Sequence, residues 1–214
     1  WSWLKRVLTV LFFVGVAALL VRQACTVEWD EVWASLQRMP IGHLGVAIGL
    51  ALASYAVYCT YDLLGRHYTG HRLGRTQVLL VTFISYAFNL NLGSLVGGIA
   101  FRIRMYTRLG LDSGTVGRVL SLSLVTNWLG YLVLAGGVFL LRPLALPPDW
   151  KLGSGGLRLL GAALLAVAIA YLAMCAFSRQ RSYTVRGHTL ELPSLRLALL
   201  QMTLSAINWL LIAT

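Results

Sequence analysis

The stretch Thr82–Arg108 reads TFISYAFNLNLGSLVGGIAFRIRMYTR, and its reading decides the fold. It opens as an apolar helix and then loses that character. Asn89, Asn91, Gly93, Ser94, Gly97 and Gly98 interrupt a run that would otherwise be about one membrane span long. Each glycine costs a helix roughly 1 kcal/mol relative to alanine. Irregular backbone cannot face lipid, because its amides and carbonyls would have no partners. The break is therefore expected to be buried in protein or to line a wet cavity. Arg102, Arg104 and Arg108 follow it closely.

The rest of the composition supports a membrane setting. Of 214 residues, 58% are hydrophobic and 12% charged, and the mean hydropathy is +0.74. A soluble domain carries about 25% charged residues, so an integral membrane protein is expected. The net charge of +11 does not imply nucleic acid, since a multi-pass protein gathers Lys and Arg in its cytoplasmic loops. Cys25, Cys59 and Cys175 show no metal or disulfide spacing. The sequence lacks an initiator Met and stops within an apolar run at Leu210–Thr214, so a fragment of a longer protein is expected.

Working outward, the apolar pattern gives five spans, at about 4–22, 41–61, 116–141, 157–177 and 195–214, with the N-terminus in the cytoplasm. Residues 27–39 form an amphipathic segment. Trp29, Val32, Trp33 and Leu36 share one helical face, and Pro40 prevents continuation. An interfacial helix on the outer face is expected there, with an ordinary packed loop helix as the alternative. Tyr183 and Val185, then Leu190 and Leu192, alternate around Arg186-Gly187-His188, which reads as a small cytoplasmic β-hairpin.

Charge decides the path of the broken segment. If residues 77–104 dip into the membrane and return, Lys5, Arg6, Arg66, Arg72, Arg75, Arg102, Arg104, Arg108, Arg118, Arg179, Arg181, Arg186 and Arg196 lie inside. Arg22, Arg38, Arg142, Lys151 and Arg158 then lie outside. That division of thirteen against five obeys the positive-inside rule, and a full crossing would invert every later loop. Length agrees. Gln77 to Asn89 is 12 residues, about 18 Å of helix against a hydrocarbon core of about 30 Å. The expected fold is an all-α polytopic bundle with a re-entrant broken-helix hairpin, in one transmembrane domain.

Catalytic signatures are missing from the sequence. It has no P-loop, no G-x-S-x-G, no H-E-x-x-H and no dinucleotide fingerprint. His67 and His71 have a helical metal spacing but no third ligand nearby. No enzyme activity, metal or cofactor is expected. An anion site fits the broken segment better. A returning half-helix that starts at Ser94 would present free amides and a positive dipole end near mid-membrane, as discontinuous helices do in transporters. Asn89 and Asn91 would add donors, and Arg102, Arg104 and Arg108 would meet a phosphate nearer the surface. Asp62 ends the second span on that side, and Asn127 lies near the middle of the third. The bland readings are membrane-anchoring arginines, an Asp62–Arg66 pair at i,i+4, and Asn127 as helix–helix glue.

At these residues a family resemblance appears. SYAFNLNLGSLVGGIAFRIRMYTRLGL at 85–111, TNWLGY at 126–131, YDLLGR at 61–66, WDEVW at 29–33 and the hairpin before LRLALLQM resemble the YbhN-like bacterial inner-membrane proteins. These belong with the transmembrane region of the lysylphosphatidylglycerol synthase/flippase family. The resemblance runs over the whole chain. It implies a phospholipid-handling domain of the inner membrane, with lipid flipping as the activity. It also implies functional roles for an acid at the end of the second span, here Asp62, and for an Arg after the break, Arg102 or Arg104. No aminoacyltransferase domain accompanies it, so lipid lysylation is not implied. The C-terminal half of such a domain, with its own Gly-rich motif, lies outside this sequence. Anionic phospholipid is the expected ligand. A second copy or a lipid-synthesis protein is a possible partner, and a nonenzymatic scaffold for such proteins is the alternative function.

Overall fold

The computed structural model describes residues 2–141, 154–180, 182–185 and 188–214. The chain runs through α1 (Ser2–Thr26), α2 (Trp29–Arg38), α3 (Ile41–Thr69) and α4 (Arg75–Gly93). A π-helical segment (Ser94–Ala100) leads into α5 (Phe101–Arg108), followed by α6 (Ser113–Leu141) and α7 (Ser154–Phe177). Strands β1 (Ser182–Val185) and β2 (His188–Glu191) precede α8 (Leu195–Ala213). The two strands pair antiparallel with Tyr183 opposite Leu190. The Tyr68 hydroxyl bonds the Glu191 carbonyl and accepts from its amide, which ties β2 to α3. Arg142 and Lys151 of the outer charge group, and Arg186-Gly187 of the expected hairpin turn, lie outside the described residues.

Among the described residues, five helical stretches are long and apolar enough to cross a membrane: Ile41–Thr69, Arg75–Arg108, Ser113–Leu141, Gly155–Phe177 and Leu195–Ala213. Val10–Thr26 of α1 and Trp29–Arg38 pass the same test as a pair, bent by 64°. α2 buries none of its residues, and the Trp29 indole N–H donates to the Ala24 carbonyl at 2.8 Å.

Arg75–Arg108 is continuous in secondary structure but is not a straight rod. A straight helix would separate Val78 from Tyr106 by about 42 Å. Instead Val78, Val81 and Tyr106 share one core cluster with Val116, Val119 and Leu120. Phe88 and Phe101 stack with centroids 4.3 Å apart. The chain doubles back at Gly93, where φ is +81°, a conformation that glycine adopts without a Cβ penalty. Gly97 then lies directly on the first limb, where an added Cβ would fall 2.1 Å from the Asn89 amide nitrogen.

Two boundaries differ from the sequence expectation. The first limb does not end at Asn89. It stays helical to Gly93, and its 19 residues span about 28 Å, because the Asn91 amide donates to the Ala87 carbonyl at 2.7 Å and adds to the helical turn. The irregular backbone contracts to a single residue. Likewise Asp62 does not end a helix. α3 continues about two turns beyond it to Thr69, where Gly70 at φ +67° provides a left-handed cap.

Small residues set the helix crossings. A Cβ on Gly136 would lie 3.1 Å from the Gly161 carbonyl, so α6 and α7 meet backbone to backbone. Gly130 lets α8 approach α6 just as closely, and its amide donates to the Ser205 hydroxyl at 3.1 Å. Gly65 of α3 faces Val119 of α6. α6 is thus the central post, with α3, α5, α7 and α8 around it.

Candidate functional site

The hairpin lays α5 against α3 and α6, and the helical period does the rest. Arg102 and Tyr106 are four apart, on one face, and that face points at Asp62. The carboxylate is fully buried and Arg102 is 2% exposed. Arg102 Nε lies 3.5 Å from Asp62 Oδ2, too long for a good hydrogen bond. Each partner is anchored elsewhere. The Tyr106 hydroxyl donates to Asp62 Oδ2 at 2.7 Å, and Arg102 Nη1 donates to the Ser123 hydroxyl of α6 at 3.0 Å. The guanidinium also lies over the Tyr58 ring, 5.3 Å from its centroid, a cation–π distance.

Within the pair, Asp62 Oδ1 and Arg102 Nε and Nη2 are buried without a hydrogen-bond partner among the described residues. Native proteins leave few such atoms. Here three belong to the one ion pair, so it has binding capacity that the chain does not use.

The aromatic side of the pocket leads outward. Tyr58 stacks on Tyr86 of α4 at 3.7 Å, and Tyr86 meets Tyr55 at 4.7 Å. Tyr55 and Tyr86 also line an open, mostly apolar cleft of about 350 Å³ between α3, α4 and the end of α8, with Ser54 and Leu90 on its walls.

The other predicted site residues are spread out. Arg104 is half-buried, with its guanidinium over Phe12 and Phe13 of α1 at 5.3 and 5.5 Å. Arg108 is exposed and borders a second cleft with Gln77, Ile84 and Met105. Asn89 is half-buried, and its side-chain oxygen faces Gly98. Asn91 and Ser94 are exposed at the hairpin tip. Asn127 contributes its carbonyl, which accepts from Ser205 and Trp209 at 3.0 Å each. Arg66 does not form the i,i+4 pair with Asp62. Its Nε donates to the Leu73 carbonyl at 2.7 Å.

The structure therefore unites Asp62 with Arg102 and adds Tyr106, Ser123 and Tyr58, none of which was singled out from sequence. Tyr106 was accessible as the i+4 neighbour of Arg102. Ser123 had no local signal, since a serine on an apolar helix reads as packing.

The chain is 47% identical over 209 residues to Inner membrane protein YbhN of Escherichia coli strain K12, covering 98% of this chain and 66% of that protein. It is 28% identical over 184 residues to an uncharacterized protein, slr0712, of Synechocystis sp., covering 86% of this chain and 57% of that one. The chain thus spans about two thirds or less of the length of these relatives. No family model matches it.

Proposed function

We propose that this chain, a multi-pass member of the YbhN-like inner-membrane proteins, binds the head group of a phospholipid at Arg102 and carries it between leaflets without covalent chemistry. The observation that carries this reading is the buried Asp62–Arg102 pair with its open Oδ1 and Nη2. A guanidinium is the side chain best suited to a phosphate. One that is already desolvated, held by a neutral hydroxyl, and only loosely paired can exchange its carboxylate for a phosphate.

In this reading the hairpin is re-entrant and enters the membrane from the cytoplasmic side. The segment before Arg75 and the segment after Arg108 then lie together, as the positive-inside rule favours. The exposed Arg108 meets inner-leaflet phosphates. The cleft beside Tyr55 and Tyr86 admits acyl chains while the head group travels in the protein. α2, with its exposed Trp29 and Trp33, lies along the outer interface.

The test uses the full-length protein in proteoliposomes with a fluorescent phosphatidylglycerol. Asp62→Ala and Arg102→Ala are each expected to reduce translocation to the protein-free background at normal expression. Wild-type rates in both would leave the pair structural and favour a scaffold for lipid-handling partners. Cysteines placed at 75 and 104 should be labelled from the same side of the membrane; labelling from opposite sides would end the re-entrant arrangement.

A further inference from the structure

We infer that head-group binding at Arg102 is coupled to the uptake of one proton by Asp62, which reaches it from the α3–α4 loop past His71. The inference rests on the head-group reading above and adds its coupling ion.

The argument is one of charge balance. At rest the pocket holds one carboxylate and one guanidinium, with 0% and 2% exposure, so its net charge is zero. A phosphodiester brings one negative charge. In a low-dielectric site an uncompensated charge is the most costly state available. Arg102 cannot gain a charge, and it cannot lose its own in a protein.

The surrounding groups give no alternative. Tyr58 and Cys59 lie on the same helix as Asp62, Tyr86 comes from α4, and Tyr106 from α5. α6 contributes the neutral Ser123, and the loop side contributes Arg66 and His71. Among these groups Asp62 is the only carboxylate, and His71, the other proton acceptor, is kept neutral by burial and by Arg66. Arg66 is only half-buried and turned to the Leu73 carbonyl, so phosphate entry without a proton would leave two anions facing one cation in the buried pocket. With a proton on Asp62 the pocket again holds one anion and one cation.

The geometry prepares Asp62 for this. Its Oδ1 is buried and unpartnered, so an O–H bond can form there while Oδ2 keeps its bond from Tyr106. The proton comes from cytoplasmic water, and no electron moves. Arg102 keeps Ser123 and turns its open Nη2 to the phosphate.

His71 marks the route. It lies in the short loop between α3 and α4, and its ring is 6.4 Å from that of Tyr106. Both ring nitrogens are buried with no hydrogen-bond partner among the described residues. Burial and then the Arg66 guanidinium push this imidazole below its ordinary pKa. It is therefore neutral at physiological pH, with one nitrogen to accept a proton and one to donate it.

The experiment uses full-length protein in detergent micelles with phosphatidylglycerol as the probe, in weak buffer with a pH-indicator dye. Binding should take up one proton per lipid. Affinity should fall about tenfold per unit rise in pH wherever free Asp62 is ionised and bound Asp62 is protonated. Asp62→Asn, which retains an oxygen for Tyr106, should bind with an affinity independent of pH and no proton uptake. His71→Ala should keep the stoichiometry and slow the uptake. Arg102-dependent binding with no proton taken up by the wild type would overturn the coupling and leave the head-group reading standing. Absence of binding, or binding indifferent to Arg102→Ala, would remove both. If Asp62→Asn does not fold, the wild type and His71→Ala together decide the matter: uptake abolished by His71→Ala would place the proton on His71 and overturn the assignment to Asp62.

Discussion

Two buried polar networks lie in this bundle, and they are built differently. Between α6, α7 and α8, Gln201 accepts from the Tyr171 hydroxyl at 3.0 Å and donates to Thr126 at 2.7 Å. One turn on, Ser205 joins Gly130 and Asn127, and Asn208 accepts from Ser54 at 3.0 Å. All of these groups are neutral, and each has its partner within the chain. Between α3, α5 and α6 the groups are charged, the ion pair is loose, and Asp62 Oδ1 with Arg102 Nε and Nη2 remain open. A satisfied neutral network in a membrane joins helices. An open charged one is costly to maintain and marks a functional site. The contrast separates helix glue from the proposed head-group site on physical grounds, although both kinds of residue sit on apolar helices and look alike in sequence.

The strongest way to break the comparison is to remove one charge. Asp62→Ala or Arg102→Ala leaves the other buried and uncompensated, at a cost of roughly 3–5 kcal/mol. Thermal unfolding in detergent should show both singles strongly destabilised, and the double mutant less than the sum of the two. Additive losses would mean the two charges do not interact.

Next comes the hairpin that delivers Arg102. Gly97→Ala places a methyl group on the Asn89 backbone, and overpacking of this kind costs about 1–3 kcal/mol. It should also weaken a disulfide engineered between positions 88 and 101. Unchanged cross-linking would show that the limbs do not need this contact.

The glue network should respond more mildly. Gln201→Leu removes hydrogen bonds that average about 0.6 kcal/mol in membrane bundles, so stability falls slightly while translocation stays at wild-type rate. A translocation loss as large as that of Arg102→Ala would dissolve the distinction between the networks. Smallest of all, Asn91→Ala at the exposed hairpin tip should change stability by less than about 0.5 kcal/mol and leave phosphatidylglycerol affinity unchanged. A marked fall in that affinity would restore the tip amides as a head-group site.

Sequence reading placed Asn89, Asn91 and Ser94 at the centre of the anion site, because polar residues in a glycine-rich break look like ligands. In the fold Asn91 bonds its own helix and Ser94 faces outward. Asp62 and the arginines read as a functional group from their position in the chain. That the partner is Arg102 and not Arg104 depends on a rotation of about 200° between residues two apart on α5. One faces Asp62 and the other faces Phe12 and Phe13 of α1.

The sequence by itself determined the membrane setting, the helical segments and the position of the break. These follow from local composition: hydropathy over a window and the conformational freedom of Gly93. Only the tertiary structure decided which limb faces which neighbour, that Ser123 of α6 holds Arg102, and that Gln201 is satisfied while Asp62 Oδ1 is not. Those facts depend on side chains that meet across 21 to 79 positions of sequence. No local pattern fixes such meetings, because they arise from how small residues let helices approach and from the angle at which each helix presents its face.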